Sequence, residues 1–149
     1  VGFINDSKAT NGEAAARALA CFDDIYWIAG GRPKADGIKA CEEYFGRIRH
    51  AYLIGEAALS FSQTLDGKVP FTVCKDLTEA TQKAYADAKK SGLPGSVVLL
   101  SPAAASFDQF SDFEARGDAF KDVVEALPGE HMDPFEEPGV FPGSVEAAV

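Results

Sequence analysis

Hydrophobic positions along the chain switch between two patterns. Short, mostly apolar runs fall at 2–5, 25–29, 50–54, 71–73 and 96–100, of which Ser96-Val97-Val98-Leu99-Leu100 is the clearest. Between them lie longer stretches, 13–22, 37–45, 56–64, 77–90 and 111–127, where apolar residues recur every third or fourth position among polar ones. Nearly continuous apolar runs suit strands that are covered on both faces. Strands alternating with helices of about ten residues build right-handed βαβ units. The pattern predicts a three-layer α/β fold: a mostly parallel, doubly wound, Rossmann-like sheet of about five strands with helices on both faces.

Punctuation supports these elements. Thr10 with Glu13, Asp76 with Glu79 and Ser111 with Glu114 each read as a capping box opening a helix. Gly46, the pair Asp66-Gly67 and the run Ser91-Gly92-Leu93-Pro94-Gly95 read as stops. After position 127 the periodicity ends. Residues 128–149 carry four prolines and several acids, with Phe135, Val140 and Phe141 as apolar anchors. The expected organisation is one domain over 1–127, followed by an irregular, Pro-rich, acidic tail over 128–149 that lies on the domain surface. No internal repeat is evident.

Composition narrows the function classes. The chain has 149 residues, 46% of them hydrophobic, enough for one globular domain with its own core. Its net charge of -9 argues against nucleic acid, whose phosphates need a basic surface. Small anions remain compatible, because a few placed lysines can reverse the field locally. Cys21, Cys41 and Cys74 are scattered and lack metal-ligand spacing, so they read as buried or half-buried free thiols in a reducing compartment. With only His50 and His131, a histidine-rich metal site is excluded. No apolar stretch approaches the roughly 20 residues that span a bilayer, so no membrane is expected as a partner. The chain opens on Val1, directly into a strand before its first polar motif, and is expected to be part of a longer protein.

Three polar segments follow strands and should share the carboxyl edge of the sheet, where open α/β folds bind ligands. In the first, 5–11, Lys8 is a candidate phosphate or carboxylate contact beside a helix amino terminus, with a solvated loop lysine as the plain alternative. Asp6 suits a sugar hydroxyl, a metal or the lysine itself, or shapes the loop as an Asx-turn. Thr10 either caps the helix or offers its hydroxyl to a ligand. In the second, 30–34, Gly30-Gly31 allow a sharp turn and close approach, holding Lys34 on a short loop. In the third, Ser106 ends a small-residue run that allows close approach, or caps a helix with Gln109. Phe110, Phe113, Phe120, Val124 and Leu127 repeat at helical spacing, which favours a core role for Phe113. There is no G-x-x-x-x-G-K-S/T loop and no G-x-G-x-x-G, so this stretch carries neither its own phosphate cradle nor a dinucleotide fingerprint.

Taken together, Asn-Asp-Ser-Lys-Ala-Thr-Asn at 5–11, Gly-Gly-x-x-Lys at 30–34 and Leu-Ser-Pro-Ala-Ala-Ala-Ser-Phe-Asp-Gln-Phe-x-x-Phe-Glu-x-Arg-Gly-Asp at 100–118 resemble the Mur ligases, in their D-glutamate-adding group. The resemblance runs from Val1 to about Leu127 and corresponds to the carboxyl-terminal domain of a three-domain enzyme. It implies an ATP-dependent ligase of peptidoglycan synthesis, acting through an acyl phosphate on UDP-N-acetylmuramoyl-L-alanine and D-glutamate. ATP and Mg2+ would sit mainly on a central, P-loop-bearing domain upstream, so this domain alone would be inactive. By motif position, Asp6 would contact the ATP ribose and Lys8 its terminal phosphates. Thr10, Lys34, Ser106, Phe107 and Phe113 would hold D-glutamate. The enzyme implied is a cytoplasmic monomer. The motif Asp-Asn-Pro-Arg of the diaminopimelate- or lysine-adding relatives is absent. Two alternatives stay open: a folylpolyglutamate-type amino-acid ligase, and a free-standing α/β ligand-binding module without chemistry.

Overall fold

The computed structural model of the chain describes residues 1–106 and 109–128; Phe107, Asp108 and positions 129–149, which include most of the expected tail, lie outside the described residues. In chain order the elements are β1 (Gly2–Asn5), α1 (Gly12–Leu19), β2 (Ile25–Gly30), β3 (Arg32–Pro33), a 3-10 helix (Lys39–Arg47), β4 (Ile48–Ile54), α2 (Ala58–Leu65), β5 (Phe71–Val73), α3 (Leu77–Ser91), β6 (Val97–Leu100), β7 (Ala104–Ala105) and α4 (Phe113–Glu125). Five strands form one sheet in the order β1-β6-β2-β4-β5, and every pairing in it is parallel. The predicted three-layer fold is the one observed.

Alternation along each strand sorts the core into two halves, because successive side chains point to opposite faces. Ile4, Trp27, Ala29, Leu53 and Leu99 face α1, the 3-10 helix and α2. Phe3, Tyr26, Ile28, Tyr52, Ile54, Val98 and Leu100 face α3 and α4. All six residues of β2 are buried, as expected of the central strand with a neighbour on each side and helices above and below.

The structure departs from expectation in three places. The helix predicted over 37–45 is instead a 3-10 helix, Lys39–Arg47. The N–H groups of Gly37, Lys39 and Cys41 donate to the carbonyls three residues back, at 3.0, 3.3 and 2.9 Å. Its start has no side-chain cap, and the segment is pressed onto α1, where a Cβ on Gly12 would collide with the carbonyl oxygen of Gly37. Secondly, two helix caps fall one residue later than predicted. Asn11, not Thr10, opens α1 by accepting from the Ala14 N–H at 2.8 Å, and Asp112, not Ser111, opens α4 by accepting from Ala115 at 2.7 Å. Asp76 caps α3 as expected. Thirdly, an antiparallel ribbon, β3 against β7, pairs Arg32 with Ala105 and Pro33 with Ala104, which the sequence pattern did not indicate.

Candidate functional site

All strands of the sheet run in parallel, so every loop that leaves a strand's carboxyl end emerges at one rim. The three polar segments occupy that rim. They are also bonded to one another: Ala103 N–H donates to the Ala9 carbonyl at 2.9 Å, and Gly30 N–H to the Pro102 carbonyl at 2.9 Å. Gly31, at φ 131°, sits where a Cβ would collide with the Ala105 carbonyl oxygen. That is the close approach of backbones which only a residue without a side chain permits.

The first and third segments are joined by a buried clasp. Arg116, on α4, is 1% exposed and donates three times: from Nε to the Ser7 hydroxyl (2.9 Å), from Nη2 to the Ser7 carbonyl (2.7 Å) and from Nη1 to the Ala104 carbonyl (2.9 Å). The Ser7 hydroxyl in turn donates to the Phe113 carbonyl at 2.6 Å. Asn5 Nδ2 donates to the Gly117 carbonyl at 3.1 Å, and a Cβ at Gly117 would crowd the Asn5 amide and Ser7 Cβ. The first two turns of α4 are thus bonded directly to the loop that carries Lys8.

Asp6 is 6% exposed, and its Oδ2 accepts from the Ser101 hydroxyl at 2.8 Å. Ser101 is buried, and its carbonyl accepts from Trp27 Nε1 at 2.7 Å. A carboxylate withdrawn from water needs such donors. Lys8 is exposed and shares a hollow of about 310 Å³ with Asn5, Ser7, Phe113 and the acids Glu114 and Asp118. Lys34 is exposed and lines a second hollow, of about 590 Å³, together with Asn11, Gly12, Glu13, Asp36 and Lys39. Thr10 lies between them in the chain. Because Asn11 makes the cap, the Thr10 hydroxyl takes no part in it. Ser106 is 3% exposed and lines neither hollow; its carbonyl accepts from the Gln109 and Phe110 N–H groups, so its backbone, not its side chain, makes the local turn. Phe113 is 36% exposed, whereas Phe120, Val124 and Leu127 on the same repeat are buried. Phe107 lies outside the described residues.

The loops of Lys8, Lys34 and Ser106 therefore meet at one rim, while the two lysines open into separate hollows. Arg116, Gly117, Ser7 and Ser101 had no role assigned from sequence. Arg116 and Gly117 stand inside the third motif, but a buried arginine runs against the usual exposure of charged residues, and only the motif itself signalled that position. Among the described residues no group of three or more His, Cys, Asp or Glu side chains could hold a metal ion.

A fully parallel, doubly wound sheet with interlocked polar loops along its carboxyl rim places the chain in the open α/β class, whose ligand sites lie at that rim. Within that class, no family model matches the chain, but individual proteins do. It is 59% identical over 127 residues to the UDP-N-acetylmuramoylalanine--D-glutamate ligase of Rhodopseudomonas palustris, covering 85% of this chain and 27% of that protein. The ligase of the same name from Paramagnetospirillum magneticum is 55% identical over 127 residues (85% and 28%), and that from Agrobacterium fabrum 57% identical over 132 residues (89% and 28%). The chain is thus a homologue of UDP-N-acetylmuramoylalanine--D-glutamate ligases over a segment spanning 27–28% of their length, which bears out the resemblance carried by the three motifs.

Proposed function

We propose that this chain is the carboxyl-terminal domain of an ATP-dependent ligase that adds D-glutamate to UDP-N-acetylmuramoyl-L-alanine in peptidoglycan synthesis. The observation that carries the reading is the identity of 55–59% to ligases of that name over 127 residues. In the reaction proposed, ATP phosphorylates the substrate carboxylate to an acyl phosphate. The amine of D-glutamate then attacks the carbonyl carbon, and phosphate leaves. The domain's part is positioning: closing over the cleft excludes water and aligns the amine, where orientation alone can supply several orders of magnitude in rate. The domain is inactive alone, and the enzyme is proposed to work as a cytoplasmic monomer.

In this reading Lys8 takes the terminal phosphates of ATP and Asp6 a ribose hydroxyl. Thr10, Lys34, Ser106, Phe107 and Phe113 hold D-glutamate, with Lys34 making a charge-assisted contact to its side-chain carboxylate. Two separate hollows, one beside Lys8 and one beside Lys34, suit two different anions. A Thr10 hydroxyl not engaged in the helix cap suits a ligand contact. As the family resemblance implies, the Mg2+ that would offset phosphate charge is held mainly by the central domain of the enzyme, and no step here runs through it.

The test is Lys34→Ala in the full-length ligase that carries this domain. The expected result is a KM for D-glutamate raised at least tenfold, against a change in the KM for ATP of under about threefold, since a lost charge-assisted bond costs about 1.5–3 kcal/mol. Equal losses for both substrates would remove Lys34 from the amino-acid site.

A further inference from the structure

Asp6 and Ser101 each stand one residue past a strand, Asp6 after β1 and Ser101 after β6. These strands are parallel neighbours with Asn5 opposite Leu100, so the register sets the two residues side by side at the rim. Their side chains meet there: the Ser101 hydroxyl donates to Asp6 Oδ2 at 2.8 Å, with Ser101 fully buried and Asp6 nearly so.

All three polar groups of Ser101 are bonded. Besides the hydroxyl, its N–H donates to the Ile28 carbonyl at 3.3 Å, and its carbonyl accepts from Nε1 of the buried Trp27 at 2.7 Å. Two residues on, Ala103 takes the left-handed conformation, at φ 57°, and its N–H donates to the Ala9 carbonyl at 2.9 Å. A residue with a side chain keeps that conformation only where its surroundings over-determine it. The backbone that carries the Ser101 hydroxyl is thus pinned to the central strand on one side and to the Asp6 loop on the other.

The Asp6 side chain is softer. The torsion that turns a carboxylate about its last bond has broad, roughly two-fold minima, so a bond to one oxygen is what selects a plane. That plane matters for recognition, because a hydroxyl donor approaches a carboxylate along its in-plane lone pairs. Capping does not account for the acid, since Asn11 caps α1.

We infer that Ser101 is a positioning residue for the nucleotide: its hydroxyl sets the plane of the Asp6 carboxylate that receives the ATP ribose. Ser101 acts through Asp6 and touches no substrate. The inference rests on the proposed role of Asp6 and deepens it, because it makes the preference for ribose over deoxyribose depend on a residue 95 positions away.

Kinetics of the full-length ligase that carries this domain test it, with ATP and its analogues lacking the 2′ or the 3′ hydroxyl as probes. The parent enzyme should favour ATP over at least one analogue by about tenfold or more in kcat/KM, the size of one hydrogen bond to a charged group. In Ser101→Ala that preference should shrink by at least about threefold, and the KM for ATP should rise by a similar factor, as a misdirected hydrogen bond weakens. The KM for D-glutamate should change by less than about twofold, because that substrate makes no contact with Asp6 in the proposed site. Ser101→Cys, close in shape but a weak donor, should behave as the alanine variant does. Neither a KM nor a ratio of kcat/KM values depends on how much of the enzyme is folded, so lower stability does not imitate these results. In an Asp6→Ala background, adding Ser101→Ala should change the KM for ATP by less than about twofold, since the residue it acts through is gone. A preference kept in full by both Ser101 variants would overturn the positioning role and leave the ribose contact standing. So would a further rise in the KM for ATP, as large as in the single variant, in the Asp6→Ala background. A parent enzyme indifferent to both hydroxyls would instead remove the ribose contact, and the role of Ser101 with it.

Discussion

The Ser7 hydroxyl accepts from Arg116 and donates to the Phe113 carbonyl, so one oxygen joins two segments more than 100 positions apart in the chain. Removing the guanidinium would leave that hydroxyl and the carbonyls of Ser7 and Ala104 short of a donor in a buried place. Arg116→Ala is therefore expected to destabilise the domain by about 3 kcal/mol, read as a lower midpoint in urea unfolding. Arg116→Lys should recover only part of that, because an ammonium cannot reproduce the planar fork. An alanine variant within about 0.5 kcal/mol of the parent, the size of an ordinary surface change, would show that the clasp is incidental. At this scale the sequence shows Lys8 and Lys34 as loop cations, since loop placement follows from neighbouring strands. It does not show Arg116, because what turns a charged residue inward is a set of backbone carbonyls from elsewhere in the chain. Phe113 illustrates the same limit. Helical spacing favours the core, yet it lies where the repeat comes out at the rim and is left half-exposed.

Among the elements, five strands and the helices α1 to α4 were legible because their periodicity is strong, but their ends were less so. Thr10-Asn11 and Ser111-Asp112 each offer two good capping residues in succession, and composition does not choose between them. The backbone does. Asn11 has the extended conformation of a cap, φ -147° and ψ 171°, directly after the turn in which Ala9 N–H donates to the Asp6 carbonyl. Asn11→Ala should accordingly cost about 1 kcal/mol of unfolding free energy, while Thr10→Ala stays within about 0.5 kcal/mol. The reverse order in denaturant midpoints would restore Thr10 as the cap. The 3-10 helix and the β3–β7 ribbon were beyond reach for another reason. A two-residue strand has no period to detect, and a 3-10 turn differs from an α-helix by where each N–H points, which packing against α1 decides.

On the scale of the whole molecule, His50 makes stability depend on pH at the end of β4 remote from the rim. Its Nε2 pairs with Thr72 Oγ1 at 2.8 Å and its ring lies 4.8 Å from that of Tyr52. Burial pulls its pKa below the usual 6.5, partly opposed by Asp87, whose carboxylate also accepts from the Tyr52 hydroxyl at 2.6 Å. With the folded pKa below the unfolded one, the unfolded chain binds the extra proton, and stability is lost as pH falls below about 6.5. The unfolding temperature should drop between pH 7.5 and pH 5, and His50→Gln should remove part of that drop; an identical drop in the variant would clear His50 of the effect. The same molecule shows where sequence reasoning ends. Periodicity alone determined the layers, the parallel sheet and the rim on which Lys8, Lys34 and Ser106 must lie, because side-chain alternation and βαβ handedness are local rules with one global outcome. Only the tertiary structure decided that the two lysines open into different hollows, that Asp6 faces Ser101, and that α4 is bonded to the first loop. Those arrangements depend on which backbone groups from distant segments become neighbours, a matter of how complete surfaces pack and not of any single stretch of chain.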